Sequence, residues 1–186
     1  MHTRYENFGG QVTAAELSRL VTRLGRLVGV AAGERLEGSS DEYPANPSTD
    51  AERIELITAL EALKGAACAA QARLAVAFDA SQRARQRAEG VPPAKVGSGI
   101  AEQIALARHE SPRKGSQLLG LAKALVHELP ETMQALTAGS ISEWRATLVC
   151  RETALLQVGD RIAVDAHLGP KLAGLFDRAT AAEALG

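Results

Sequence analysis

Leu56, Leu60, Leu63, Ala67, Ala70, Leu74 and Ala77 step along the chain by four and three residues without a break. That spacing keeps one face of an α-helix apolar and is incompatible with the two-residue period of a strand. It predicts one long helix over about 50–88, which at 1.5 Å per residue runs nearly 60 Å and spans a whole domain. Gly65 falls inside it, but a helical glycine costs only about 1 kcal/mol, so the helix is expected to continue. The alanines admit a close partner. The seam therefore reads as the spine of a helical bundle or as an intermolecular coiled coil.

The rest of the chain follows the same period. A helix is expected over 13–32, with Leu17, Leu20, Leu24, Leu27 and Val28 as its stripe. Gly38 to Ser48 reads as a linker, and Thr49 or Asp50 as the cap of the long helix. Gly90-Val91-Pro92-Pro93 ends that helix. A short helix then runs from Ser98 to about Arg108, with Ile100, Ile104 and Ala107 on one face. Ser111-Pro112 starts the next, with Leu118, Leu121, Ala122, Leu125 and Leu129 inward. Pro130 opens another, which Gly139 stops. Ser142 opens one more, through about Leu156, expected to bury Trp144, Leu148 and Leu155. Asp160–Leu168 and Lys171–Leu185 form two final stretches split by Gly169-Pro170. Only six of 186 residues are aromatic, and no segment reads as a strand. The expected fold is an all-α multi-helix bundle organised around the helix at 50–88. Residues 1–49 form an N-terminal helix and linker, and 50–186 form the main helical domain.

The sequence excludes more chemistry than it offers. No apolar run is long enough to span a membrane, and no signal pattern opens the chain, so a cytoplasmic protein is expected. Cys68 and Cys150 read as buried thiols. His2, His109, His127 and His167 have no partner at metal-ligand spacing. Gly115 to Gly120 has the glycine spacing of a phosphate loop, but Leu121 stands where its lysine belongs. No catalytic residue, metal or cofactor is expected. Residues around 135–152 fit a helix-turn-helix poorly, since Arg145 occupies an apolar position. One charge feature remains. The net charge of −1 conceals a zone, 83–123, with eight bases against three acids. Arg83, Arg87, Arg108, Arg113 and Lys114 flank two successive turns there and are the candidates for DNA-phosphate contacts, if those turns meet. The alternative is cations complementing helix ends.

The ordered blocks "ALARHESP", "LGLAKAL", "ELPETMQAL" and "GSISEWRATLV", together with "RIELITALEALKGAACAAQ" from Arg53, resemble the actinobacterial 13E12 repeat family, which carries the domain of unknown function numbered 222. The tail "DRIAVDAHLGPKLAGLFDRATAAEA" is similar too, so the resemblance covers about 53–184. It implies a helical domain placed before an HNH nuclease, often in mobile or phage-like elements. No residue of this chain matches the nuclease's metal ligands. The resemblance thus implies a non-catalytic DNA-recognition or positioning domain, with duplex DNA as partner. The competing expectation is a protein-interaction module that forms homo-oligomers through the long helix, without direct DNA contact.

Overall fold

The computed structural model describes residues 13–31 and 49–174. The chain divides into two compact units at Ile54/Glu55. In the first unit, α1 (Ala14–Ala31) starts with a reciprocal cap. Thr13 Oγ1 accepts from the Glu16 N–H (3.3 Å), and the Glu16 carboxylate accepts from the Thr13 N–H (2.7 Å). Thr49 and Glu52 repeat this arrangement at the start of α2 (Asp50–Ala88). Leu17 and Leu20, expected as part of a packing stripe, are exposed. The expected linker at 38–48 and the end of the last helical stretch, 175–186, lie outside the described residues.

The second unit is an all-α bundle around one long helix, as expected, with no strand among the described residues. α2 runs unbroken through Gly65, and its stretch from Glu55 to Ala88 extends about 50 Å. A 3-10 turn at Pro93–Lys95 leads to α3 (Ile100–Ala107), α4 (Pro112–His127), α5 (Pro130–Thr137), α6 (Glu143–Glu152) and α7 (Val158–Gly174). Leu125, Leu129, Leu136, Ile141 and Ala146 form the centre of the core. Ile100, Ile104 and Leu119 make a satellite cluster against Phe78 of α2.

The face that α2 buries is not the leucine seam. Gly65, Ala69, Ala72 and Asp79 are buried, while Leu60 is 43% and Leu74 70% exposed. The reason is steric. A Cβ on Gly65 would lie 2.8 Å from the Ile141 carbonyl oxygen, and one on Gly139 would lie 2.6 Å from Cα of Ala62. The turn between α5 and α6 therefore rests on the backbone of α2, which only small side chains permit. Gly139 also has φ +73°, a conformation that glycine adopts without strain.

Short-range signals fix most helix ends. Ser111 and Ser142 accept from the N–H groups of Lys114 (3.3 Å) and Arg145 (3.4 Å), capping α4 and α6. Three helices end in the same left-handed turn. After α5, Ser140 N–H bonds Ala135 O (2.9 Å) and Gly139 N–H bonds Leu136 O (3.1 Å). Gly90 plays the Gly139 role after α2, and His109, with φ 55°, plays it after α3. A histidine there carries a Cβ penalty that glycine lacks. His109→Gly is expected to raise stability by about 1 kcal/mol in urea denaturation; an unchanged midpoint would count against it.

α5 is capped from a distance. Pro130 has no N–H to satisfy, and Met133 N–H reaches Leu129 O (2.9 Å). The N–H groups of Glu131 (2.7 Å) and Thr132 (3.1 Å), and the Thr132 hydroxyl (2.5 Å), donate to the carboxylate of Asp165 on α7. Asp165 is fully buried. Every orphan donor at this helix start is thereby accounted for.

Local expectations in α3, α6 and α7 and at the two cysteines need correction. Trp144 is 61% exposed and Leu155 98% exposed, and α6 stops at Glu152. Packing of α6 turns Ala146 into the core. Trp144, two residues earlier, falls about 200° away around the helix. α3 is entered through Gly99 rather than Ser98, and it buries Ala105 in place of Ala107. α7 passes through Gly169-Pro170 as one helix. Proline removes one backbone donor, but Leu168 and Leu172 on either side pack on the core and hold the helix through it. Cys68 and Cys150 are free thiols, half-buried rather than buried.

Candidate functional site

Two of the five candidate cations serve the fold. Arg83 Nε donates to both carboxylate oxygens of Asp79 (2.9 and 3.0 Å), and its Nη1 donates to Val96 O (3.2 Å). Lys123 of α4 reaches the same buried carboxylate at 2.8 Å. Burial alone would raise the Asp79 carboxyl, but hydrogen bonds and charge from Lys123 and Arg83 outweigh it and hold its pKa below the usual carboxylate value. Next to Arg83, Gln86 accepts from Gly97 N–H (2.6 Å) and donates to Ser98 O (3.1 Å). Arg83 and Gln86 thus fasten the segment after α2 back onto it. A side chain at Gly97 (φ +101°) would strike the Arg83 guanidinium.

Arg108, the residue that ends α3, donates through Nη2 to Glu143 at the start of α6 (3.1 Å). This pair lies beside Cys68. Burial pushes the Cys68 thiol pKa up, Glu143 adds to the rise, and Arg108 opposes it. Cys68 and Arg83 are fifteen residues apart on α2, about 22 Å along its axis. Arg83 and Arg108 therefore sit at different levels of the bundle, each in its own ion pair, and do not converge. Arg87, Arg113 and Lys114 are exposed and make no ion pair among the described residues.

The outer face of α2 is apolar and exposed. Leu56 (43%), Leu60 (43%), Leu63 (39%) and Leu74 (70%) are exposed, and Ala67, Ala70 and Ala77 continue the series. The inward stripe, Ala62, Gly65, Ala69, Ala72, Val76 and Asp79, repeats the same three-four spacing with smaller residues. α2 thus carries two heptad faces, and sequence reasoning registered only the larger. The second was visible as a periodic run of alanine and glycine. Sequence reasoning also missed Asp165, Arg161 and Glu128. Arg161 Nη1 pairs with Glu128, and its Nε donates to Thr153 O (3.1 Å), tying α7 to the ends of α4 and α6.

Among the described residues no group of three or more His, Cys, Asp or Glu side chains is placed to hold a metal ion. No helix among them is long and apolar enough to cross a membrane. Comparison with known proteins gives no match to a family model, to a curated protein or to a solved structure.

Proposed function

We propose that the chain is a protein-interaction module that pairs copies of itself along the outer face of α2. One observation carries this reading: a seven-position heptad series stays exposed on a helix whose opposite face is already filled. Each half-covered leucine adds on the order of 1 kcal/mol when its remaining surface is buried. Summed over two copies, this is comparable to the cost of association, so a reversible, concentration-dependent dimer is the form the surface supports. Light scattering should show the mass of the chain rising with concentration. Replacing Leu60, Leu63 and Leu74 together with serine should hold the chain monomeric and keep its helical circular dichroism, while the melting temperature falls by several degrees, because the leucines are partly covered and pairing no longer adds to stability. A parent chain that stays monomeric at its highest soluble concentration would reject the reading.

A second reading follows the family resemblance: a DNA-positioning domain beside an HNH nuclease. It draws on Arg87, Arg113 and Lys114, which are exposed and outside the ion pairs among the described residues. The near-zero net charge favours it less than a basic surface would. Salt-dependent binding of duplex DNA separates it from self-association. Neither reading assigns a reaction to the chain.

A further inference from the structure

A cavity of about 280 Å³ opens between α2, α3 and α4. Phe78, Ile104, Leu121 and Leu125 make its apolar wall. Its polar lining is confined to the Arg108–Glu143 pair, Gln71, Gln103 and the Cys68 thiol. A dry apolar cavity of about 150 Å³ accepts a benzene-sized molecule, so this one has room for about ten non-hydrogen atoms. The ion pair lining it is only partly used. Arg108 donates to Glu143 through Nη2 alone (3.1 and 3.5 Å), and its Nε and Nη1 donate to no group among the described residues. Its side chain is 22% exposed and that of Glu143 34%. Neither free nitrogen is a buried unsatisfied atom, so both are open to solvent and within reach of a ligand that displaces it.

Charge decides the class of ligand. The two side chains cancel, so a carboxylate drawn to Arg108 meets Glu143, and an ammonium drawn to Glu143 meets Arg108. A neutral head that both accepts and donates meets no like charge. Its carbonyl can take a free Arg108 donor while its N–H or O–H bonds the Glu143 carboxylate or a glutamine amide. We infer that this cavity is a binding site for a small uncharged amphiphile, its apolar body among Phe78, Ile104, Leu121 and Leu125 and its amide or hydroxyl head on Arg108 and Glu143. Leu74 belongs both to the cavity lining and to the outer face of α2, so the titration is run at a concentration where the chain is monomeric.

Octanamide, with ten non-hydrogen atoms, is the probe, and octanoate and octylammonium are its charged counterparts. NMR titration of the full chain should give saturable one-to-one binding of octanamide, with shifts at the Arg108 Nε–H. Both charged counterparts should bind about tenfold more weakly, the equivalent of one charge-assisted hydrogen bond. Arg108→Met should weaken octanamide about tenfold as well. Ala107 is exposed and lines the cavity, so Ala107→Trp should plug it and abolish binding. If that variant fails to fold, Arg108→Met alone decides. Shifts that grow without saturating would overturn the proposal, as would equal affinity for octanoate or octylammonium, or an Arg108→Met variant that binds like the parent. If octanamide does not bind and Ala107→Trp instead weakens self-association, a second copy fills the cavity and the small-molecule site is rejected.

Discussion

Asp165→Ala should lower stability by about 4 kcal/mol, because it strands two backbone N–H groups and a hydroxyl with no acceptor. In a chain of this size that corresponds to a melting temperature lower by about 10 °C. The loss comes less from the removed bonds than from the donors left behind, since Thr132 is itself fully buried. Asp165→Asn retains one carbonyl oxygen and should cost about half as much. Thr132→Val keeps the backbone donors paired and should cost about 1 kcal/mol. Melts followed by circular dichroism at 222 nm rank the three variants. An Asp165→Ala shift smaller than that of Thr132→Val would mean that α5 is not held from α7.

The second large effect lies in one helix and has a built-in control. A Cβ on Gly115 would overlap the Ala101 carbonyl oxygen and come within 2.6 Å of the Ala105 Cβ. α3 and α4 pack there with no space for a methyl group, and backbone cannot swing aside as a flexible side chain can. Gly115→Ala is therefore expected to cost about 3 kcal/mol. Five residues later on α4, a Cβ on Gly120 meets nothing within 4 Å. Gly120→Ala should stabilise by about 1 kcal/mol, the ordinary helix-propensity gain. The same substitution should thus move the denaturation midpoint in opposite directions. Equal signs would show that contact with α3 does not govern the response at Gly115.

What could be read from the sequence divides along a physical line. Signals that act within one helical turn were legible: the Ser111-Pro112 start, the Ser142 cap, and the stop at Gly139. Each satisfies backbone groups a few residues away, so local chemistry determines it. The period of α2 was equally legible, but its orientation was not. The choice between a leucine face and a glycine-alanine face depends on what approaches, and the turn at Gly139 comes from more than seventy residues further on. Trp144 failed for the same reason, since its hydrophobicity argued for burial while the packing of α6 turns Ala146 inward and leaves Trp144 on another face. The basic zone was legible as charge and only in part as pairing. Asp79 stands four residues before Arg83 on the same helix, a local pairing sign that was not read, whereas nothing near Arg83 or Arg108 in sequence reveals the bonds to Val96 and Glu143. Asp165 gave no local sign, because its partners lie thirty-three and thirty-four residues before it.

The two faces of α2 also bear on how such a chain can drift over generations. Where Gly65 and Ala69 meet the bundle, almost any replacement adds atoms that have nowhere to go. At Leu60 and Leu74 folding sets almost no limit, and only the demands of an eventual partner would hold the residue in place. Substitutions accumulated along this one helix should rise and fall with its turns. The two rhythms would be kept by different kinds of selection, one against collapse of the domain and one against loss of company.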